Sequence, residues 1–374
     1  MLERVHFKNF KSLEDVAVSL SPFTLFVGAN ASGKTSILQA THDLLQLVSP
    51  STTDPTSVFS GAHHPTRVMR RGGAGHFELE ASGTEFGTFG VTASGSEAGA
   101  SVKLQRRHGT SHDQFPAQRS PSGLDARRQA YQSFMKPLRA CQLGSVSALR
   151  LDALAAVKPH HAGEEGTRIR HDGTGLPSVI QRLQLLRDGR FEELEATLAE
   201  IVPSIRRLRA LPHPITLSRT TRVAIDGTET EVARTERVMG AKLEAELTTG
   251  QWIPADLLSE GTVLTLALLA VLFDETPRTL LIDDLDQGLH PTAQRKLVER
   301  LRAVQTKRTV QILATSHSPY MVDGFEAGEV RVVALIDGAT QVRALNDHPR
   351  WNDASAVLDP GEFWSSVGEE WVGR

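Results

Sequence analysis

A glycine-rich segment of eight residues near the N-terminus constrains this chain more than any other feature. Residues 28–35 read GANASGKT and match the pattern G-x-x-x-x-G-K-[ST] without a mismatch. The apolar run Phe23–Val27 precedes the segment as a short buried strand would, and a helical pattern follows from Ser36. Such a loop surrounds phosphate with backbone N–H groups at the positive end of a helix. The context therefore predicts a phosphate-binding loop and not a turn that binds nothing.

The same motif assigns roles to single residues. Lys34 is expected to reach the β- and γ-phosphates of a nucleotide, and Thr35 to ligate Mg²⁺. The predicted nucleotide contacts in this segment are Asn30, Ala31, Ser32, Gly33, Lys34, Thr35 and Ser36.

Composition and charge exclude several classes of protein. The 374 residues suffice for one large domain or two to three ordinary ones. No apolar run approaches the ~20 residues that span a bilayer, and charged residues interrupt the N-terminus, which is therefore no signal peptide. The only cysteine, Cys141, excludes an internal disulfide and favours a cytoplasmic protein.

The net charge of −3 gives no general attraction to nucleic acid, although DNA contact through local basic clusters stays open. Two such clusters occur, one formed by Arg67, Arg70 and Arg71 and the other by Arg206, Arg207 and Arg209. The favoured interpretation is that each is an ordinary surface exposed to solvent.

The N-terminal part of the chain alternates between strand-like and loop-like patterns. Residues 1–45 predict two strands, the phosphate loop and its helix. Glycine and proline predict mostly loop over 46–75, and alternation predicts an antiparallel meander over 76–107. The polar stretch 108–125 is expected to be a mobile loop.

The remainder predicts a helical insertion and then a second α/β region. Two amphipathic helices are expected at 176–186 and 191–201, and neither continues as a heptad repeat, so no long coiled-coil arm is predicted. Residues 214–250 alternate as strands do, with a turn at Asp226-Gly227. After these come a buried helix and two buried strands, at Val263–Phe273, Thr279–Ile282 and Val310–Thr315. Strands this apolar are typical of parallel sheets covered on both faces.

Two adjacent carboxylates end the first of these apolar strands. Asp283 and Asp284 lie where a parallel strand ends, which is the edge at which such sheets bind ligands. Asp283 is expected to hold Mg²⁺, directly or through water, and Asp284 to orient or deprotonate an attacking water. The pair would be a weak signal alone, but the phosphate loop in the same chain makes it a strong one.

Two further segments are candidates for completing the site. In LSEGT at 258–262, Ser259 and the amide of Gly261 can present a helix N-terminus to phosphate, although a simple helix cap is favoured by the segment alone. His317 follows the second apolar strand and is a candidate for a γ-phosphate contact, with a structural histidine as the alternative.

The order of these segments resembles the ABC-type AAA family ATPases, and specifically their RecF-, SMC- and OLD-like branch. The similar segments are KNFKSL at 8–13, LIDD at 281–284 with QGLHP at 287–291, and TSHSPY at 315–320. They resemble the opening of that branch, its Walker B element with the D-loop, and its H-loop. The resemblance covers about 1–45 and 255–325, and only loosely the insertion, through DGTGL at 172–176.

The resemblance implies an α/β P-loop NTPase fold, an ABC-ATPase head with a parallel core sheet, an antiparallel β subdomain and a helical insertion. Its expected parts are an N-terminal ATPase lobe with Walker A and the meander (1–110), a helical and β insertion (111–250), a C-terminal lobe with signature, Walker B and H-loop (251–345), and a tail (346–374). The aromatic residues of the tail are expected to pack on the ATPase core, with partner docking as the alternative: Trp351, Phe363, Trp364 and Trp371.

The resemblance also implies a homodimer that closes around two ATP molecules and Mg²⁺. The phosphate loop of one subunit would face Ser259 and Gly261 of the other, and Lys34, Asp284 and His317 would serve catalysis. Asp284 stands where the family usually has Glu, and its shorter side chain predicts slow hydrolysis. The Q-loop equivalent is expected around 60–75. Because the sequence ends soon after His317, no Toprim nuclease domain is expected within it.

Two functions therefore compete. The favoured one is an ABC-type ATPase in DNA repair or phage defence that works with a separate effector protein. The alternative is an ATP-loaded scaffold or sensor with little turnover that sequesters a partner. A transporter motor, or a nuclease using His63-His64 or His160-His161, is disfavoured.

Overall fold

The chain folds as two units that are interleaved along the sequence. The computed structural model describes residues 1–96, 99–116, 123–163, 167–225, 228–274 and 277–373, and gives only the backbone of 218–225 and 228–234. The first unit comprises 1–148, 277–286 and 298–374, and the second comprises 149–276 and 287–297.

The described part of the chain contains strands and helices throughout. The strands are β1 (Arg4–Phe10), β2 (Leu13–Ser19), β3 (Phe23–Val27), β4 (Phe77–Gly83), β5 (Gly87–Ser96), β6 (Gly99–His108), β7 (Ser111–Phe115), β8 (Val146–Leu149), β9 (Ile205–Ile225), β10 (Thr228–Leu247), β11 (Trp252–Pro254), β12 (Thr279–Ile282), β13 (Gln311–Ser316), β14 (Val330–Ile336) and β15 (Ala339–Ala344). The helices are α1 (Lys34–Val48), α2 (Pro55–Val58), α3 (Pro65–Val68), α4 (Leu124–Ala140), α5 (Ala153–Ala156), α6 (Leu176–Leu186), α7 (Arg190–Ile201), α8 (Glu260–Asp274), α9 (Pro291–Arg308), α10 (Pro319–Val322), α11 (Trp351–Ala354) and α12 (Pro360–Val367).

A mixed sheet carries the phosphate loop in the first unit. Its strand order is β15-β14-β3-β13-β12-β8, and β14, β3, β13 and β12 run parallel. All residues of β3, β12 and β13 are buried, as expected for parallel strands with both faces covered. The carboxyl ends of β3, β12 and β13 therefore lie side by side, which confirms the parallel core sheet predicted from the apolar runs.

The second sheet of the first unit is antiparallel, in the order β2-β1-β4-β5-β6-β7. The meander predicted over 76–107 corresponds to β4, β5 and β6. Residues 1–45 contain three strands and not two, because the chain reverses between β1 and β2 with left-handed backbone at Asn9 (φ 56°) and Lys11 (φ 50°). Sequence periodicity does not mark that reversal, since an apolar residue, Phe10, lies inside it.

The prediction of a loop over 108–125 was wrong in part. Residues Ser111–Phe115 form the edge strand β7, whose polar residues face solvent and so lack the alternation that marks a half-buried strand. Helix α4 begins at Leu124, and residues 117–122 of the predicted loop lie outside the described residues. The segment 46–75 is mostly loop as predicted, interrupted by the end of α1 and by the one-turn helices α2 and α3.

The core of the first unit lies between the antiparallel sheet and α1. Phenylalanines from three strands are fully buried there: Phe7, Phe10, Phe26 and Phe77. Phe10 and Phe77 meet edge to face at 5.4 Å between ring centroids, and Ile37 and Leu44 of α1 belong to the same core. These contacts hold α1, which begins at the end of the phosphate loop, against the core of the first unit.

The second unit is built around the apolar helix α8. All its residues from Gly261 to Phe273 are buried, and α6 and α7 pack against it. The faces predicted from their spacing are buried except at Leu186, the last residue of α6, which is 48% exposed. The strands expected at 214–250 belong to a small sheet, β11-β10-β9, in which β9 and β10 form a long hairpin. The predicted turn at Asp226-Gly227 lies outside the described residues.

The C-terminal aromatic residues pack back onto the first unit. Phe363, Trp364 and Trp371 are buried, and Trp351 meets Phe363 at 5.1 Å between ring centroids. Among the helices that the structure describes, none combines the length and the apolar character needed to cross a membrane.

Candidate nucleotide-binding site

The backbone of residues 28–35 forms a tight loop that only glycine permits at two positions. Gly28 and Gly33 have φ values of +148° and +112°. A Cβ atom at Gly28 would lie 2.1 Å from the carbonyl oxygen of Val333, and one at Gly33 would lie 2.2 Å from Thr340 Oγ1. Helix α1 begins at Lys34, so its first N–H groups open into the loop.

Two side chains inside the loop carry polar groups suited to phosphate. Lys34 is buried and its Nζ donates to the carbonyl oxygens of Gly28 and Ala29, both at 2.9 Å. Burial lowers the pKa of Lys34, and the nearby carboxylates of Asp284 and Asp283 oppose that change. The buried Ser32 Oγ has no hydrogen-bond partner among the described residues. A buried hydroxyl without a partner is costly, and phosphate oxygens would satisfy it. Loop and side chains therefore fit a phosphate group.

A hydroxyl and a carboxylate meet at the mouth of the loop. Thr35 Oγ1 lies 3.1 Å from Oδ1 and 3.0 Å from Oδ2 of Asp283, which follows β12 and is 8% exposed. The two residues are distant in sequence and are joined because β3 and β12 end at the same edge of the parallel sheet. Oxygen ligands of this kind are those that Mg²⁺ prefers, so the pair fits a magnesium site.

The second carboxylate, Asp284, and the histidine, His317, are both more exposed than Asp283. Asp284 has a left-handed backbone (φ 56°), and its half-exposed side chain places Oδ1 3.8 Å from His317 Nε2. The backbone N–H of His317 donates to Asp286 Oδ1 at 3.2 Å. The first unit thus brings together the catalytic residues predicted from sequence, Lys34, Asp284 and His317, with the predicted metal ligands Thr35 and Asp283.

Three residues at this site were missed by sequence reasoning. Asp286 has a weak signal in the sequence, because it is the third acid after β12. Thr315 also has a weak signal, because it lies near the end of the neighbouring strand β13. Thr340 carries none, because antiparallel pairing of β15 brings it to the loop from far along the chain. Its Oγ1 lies 2.8 Å from the carbonyl oxygen of Ser32 and 2.7 Å from Ser12 Oγ.

The LSEGT segment belongs to the second unit, where Ser259 caps α8. The N–H of Thr262 donates to Ser259 Oγ at 3.3 Å, and Gln287 Nε2 donates to Glu260 Oε1 at 2.7 Å. Gly261 approaches another backbone closely, since a Cβ there would lie 2.2 Å from the carbonyl oxygen of Gly288. The capping interpretation is correct within one chain, while contact of Ser259 and Gly261 with phosphate stays a prediction.

The loop around 60–75 contains no glutamine. The expectation that this loop supplies the equivalent of the Q-loop therefore stays a prediction. Its His63 places Nδ1 2.9 Å from Asp43 Oδ1 and 3.2 Å from Gln39 Nε2. The hydrogen bond to Asp43 raises the pKa of His63.

His160 Nδ1 lies 2.9 Å from Ser178 Oγ. Among the described residues, no three His, Cys, Asp or Glu side chains are arranged to hold a metal ion.

The two basic clusters are partly neutralised by contacts within the protein. Arg70 lies 3.2 Å from Glu14, and Arg67 and Arg71 are exposed. Arg209 lies 2.6 Å from Glu244 and stacks over the ring of Trp252 at 4.1 Å. Arg206 of the same cluster lies 3.9 Å from Glu246, so at least one arginine of the first cluster and two of the second are engaged in ion pairs.

Fold and site together define a P-loop nucleoside triphosphatase of the ABC type. The chain belongs to the family described as "AAA domain, putative AbiEii toxin, Type IV TA system", which matches residues 23–323. It is also similar to a protein named OLD nuclease from Thermus scotoductus, with 25% identity over 373 residues. That alignment covers 96% of this chain and 66% of the relative, so the chain spans just under two thirds of the curated relative it matches.

Solved structures of SMC heads share the fold. One is an SMC head bound to the C-winged helix domain of ScpA, with a TM-score of 0.59, 15% identity, and coverage of 91% of this chain and 97% of that one. Another is an SMC head with an extended coiled coil bound to the C-terminal domain of ScpA, derived from Pyrococcus furiosus, with a TM-score of 0.56, 14% identity, and coverage of 95% and 99%. The expected RecF-, SMC- and OLD-like branch of the ABC-type AAA ATPases, and its α/β head fold, are therefore confirmed.

Proposed function

We propose that this protein binds ATP with Mg²⁺ and hydrolyses it at a site completed by a second copy of the chain. The observation that carries the proposal is the contact of Thr35 Oγ1 with both carboxylate oxygens of Asp283, at 3.1 and 3.0 Å. It joins the phosphate loop to the acidic edge of the sheet, and a metal ion held there would neutralise charge on the phosphates of the nucleotide.

Each residue of the site then has a defined task. The loop amides, Ser32 and Lys34 bind the phosphates, with Lys34 exchanging its present carbonyl partners for phosphate oxygens. Thr35 and Asp283 would hold Mg²⁺, and the metal would supply positive charge next to the transferred phosphoryl group. Asp284 orients or deprotonates the attacking water. Because the neighbouring acids would repel a free triphosphate, we expect nucleotide binding to depend on the metal.

The second half of the site is proposed to come from the partner subunit. Ser259 and Gly261 at the N-terminus of α8 would face the phosphate loop of the other copy, where helix-terminal N–H groups favour negative charge. The exposure of Ser259 and the SMC-head fold support this arrangement. ATP loading and dimer closure would then be one equilibrium, and hydrolysis would open the dimer.

The biological role proposed for this switch is DNA repair or phage defence in the cytoplasm, with a separate effector protein. The similarity to a protein named OLD nuclease and the family description, which names a putative toxin, support a defence role. The free thiol of Cys141 fits a reducing compartment. Direct binding of DNA belongs to the same proposal and is tested with it.

One observation favours a second candidate, an ATP-loaded scaffold or sensor that sequesters a partner and hardly turns over. Asp284 is one methylene shorter than the glutamate usual in this branch, and its Oδ1 lies 3.8 Å from His317 Nε2. A base placed about an ångström too far can cost on the order of 10²-fold in rate. For the scaffold, we expect Asp284→Glu to raise turnover clearly, and an unchanged rate would count against it.

The test measures ATP hydrolysis and molecular mass together, with and without DNA. Wild type, Lys34→Ala and the exposed-lysine control Lys136→Ala are compared. We expect ATP-dependent dimers and slow hydrolysis in wild type and the control, and neither in Lys34→Ala. Dimerisation without turnover would select the scaffold. A wild type that binds no nucleotide would refute both candidates.

A further inference from the structure

The hydroxyl of Thr315 contacts both of the residues that follow β12, the carboxylate of Asp283 and the backbone N–H of Asp284. Thr315 is fully buried near the end of β13, the strand next to β12 in the parallel sheet. Its Oγ1 lies 2.7 Å from Asp283 Oδ1 and 2.8 Å from the backbone nitrogen of Asp284. One hydroxyl therefore bridges the residue proposed to hold the metal and the residue proposed to activate water.

The direction of these two hydrogen bonds is determined by chemistry. The backbone N–H of Asp284 can only donate, so Thr315 Oγ1 accepts there. The single hydroxyl proton is left for Asp283 Oδ1, which accepts it. The hydroxyl is thus locked in one rotamer and gives Asp283 Oδ1 a directed hydrogen bond, while Thr35 Oγ1 lies 3.1 Å from the same oxygen and 3.0 Å from Oδ2.

The backbone at Asp284 needs such support. A left-handed conformation is uncommon for residues other than glycine and persists where surrounding contacts enforce it. Asp284 has φ 56°, and Thr315 holds two consecutive backbone N–H groups there: its hydroxyl accepts from Asp284, and its carbonyl oxygen accepts from Leu285 at 2.9 Å. The side-chain contact at the N–H of Asp284 is the part of this support that a mutation can remove.

We propose that Thr315 is a positioning residue for ATP hydrolysis, which aims Asp283 at the metal and Asp284 at the attacking water. The inference rests on the proposed ATPase function. It explains how an acid shorter than the usual glutamate is kept at one place and orientation. Outer partners of metal ligands typically change affinity or activity by about 10- to 100-fold when they are removed.

The test compares Thr315→Val, which keeps the shape of the side chain and removes its hydroxyl, with Thr315→Ser, which keeps the hydroxyl. Thr265→Val is the matched control, because the hydroxyl of Thr265 is also buried but has no hydrogen-bond partner among the described residues. We expect Thr315→Val to lower kcat about 10- to 100-fold, to change KM for ATP less than about threefold, and to require about tenfold more Mg²⁺ for half-maximal rate. Thr315→Ser and Thr265→Val should stay within about threefold of wild type on all three measures.

Several results would overturn the inference. Thr315→Val with the kcat and Mg²⁺ requirement of wild type would do so, and so would equal losses in Thr315→Val and Thr315→Ser. If Thr315→Val fails to fold in a thermal melt, Thr315→Cys replaces it with the same expectations, because a thiol is only a weak donor of similar size.

A second measurement separates this inference from the ATPase proposal. If the wild type binds ATP but does not hydrolyse it, the hydrolysis proposal fails, and Mn²⁺ binding to the ATP-loaded protein is measured by electron paramagnetic resonance. Thr315→Val should then weaken Mn²⁺ binding about tenfold relative to Thr315→Ser. Equal Mn²⁺ affinities would overturn the role of Thr315, and a wild type without Mn²⁺ or ATP binding would overturn both.

Discussion

The phosphate loop in the first unit and the LSEGT segment in the second differ in how far each is built within one chain. At the phosphate loop, buried groups engage one another: Lys34 Nζ donates to backbone carbonyls of the loop, and Asp283 is contacted by the hydroxyls of Thr35 and Thr315. At LSEGT, Ser259 is exposed, and it hydrogen-bonds to Thr262 within its own helix turn.

The phosphate loop is therefore preorganised for binding, whereas LSEGT has Ser259 exposed to solvent. Preorganised groups cost little reorganisation when charge arrives, which suits the half of a site where chemistry occurs. An exposed, capped helix end suits recognition of something supplied from outside. We therefore expect changes at the phosphate loop to alter turnover, together with dimerisation wherever ATP binding is lost, and changes at LSEGT to act on dimerisation first.

We expect the largest loss from Asp283→Asn, which removes a charge at constant shape. We expect ATP turnover to fall at least about 100-fold, because the metal loses its anionic ligand where charge develops. Steady-state hydrolysis measures this, with Asp337→Asn, an exposed turn residue, as the control. A variant with normal turnover would show that the first unit does not hold the chemical half of the site.

Ser259 allows capping and recognition to be separated. Ser259→Ala should lower the free energy of unfolding by about 1 kcal/mol through loss of the cap, and should weaken ATP-dependent dimerisation. Ser259→Asp keeps a capping side chain and so keeps stability, but its charge opposes the phosphate of the partner site. Urea unfolding and light scattering measure the two effects. If Ser259→Asp still dimerises with ATP, contact of this residue with phosphate is ruled out.

Two histidines, one in each unit, should respond to pH with opposite sign. The hydrogen bond to Asp43 raises the pKa of His63, so its stabilising contribution is present below about pH 6.5 and is lost as pH rises through the higher folded-state pKa. Burial lowers the pKa of His160, so its contribution is present above about pH 6.5 and is lost as pH falls through the lower folded-state pKa.

Urea unfolding of wild type, His63→Asn and His160→Gln across pH 5 to 8.5, a range of about two units either side of the ordinary histidine pKa, tests these signs. The advantage of wild type over His63→Asn should shrink as pH rises, and its advantage over His160→Gln should grow. Parallel curves for both variants would contradict the assignment.

The smallest expected effect concerns Glu369 in the C-terminal segment. Burial lowers the pKa of Lys34, and Glu369 is among the carboxylates near enough to oppose that change. Glu369→Gln should therefore lower the KM for ATP about twofold by reducing repulsion of the triphosphate, with kcat unchanged. Glu362→Gln on the same segment serves as the control. An equal shift in both variants would show that Glu369 acts only through overall charge.

Much of the site was predictable because its motifs act locally. The loop at 28–35 predicts its own conformation, since Gly28 and Gly33 stand where the backbone requires φ values of +148° and +112°. The placement of Asp283 followed from an apolar strand that ends in acids. Strand β7 could not be found in this way, because an exposed edge strand has no apolar face to create a period of two.

Neighbouring residues alone specify several elements of this protein: the phosphate loop, the buried strands and the amphipathic helices. Which distant residues meet at the site depends on how the strands pair. Thr340 reaches the loop through pairing of β15, and Thr315 reaches Asp283 and Asp284 through parallel pairing of β13 with β12. These contacts depend on strand order and register, which are set by burial over the whole sheet, and no short stretch of sequence encodes them.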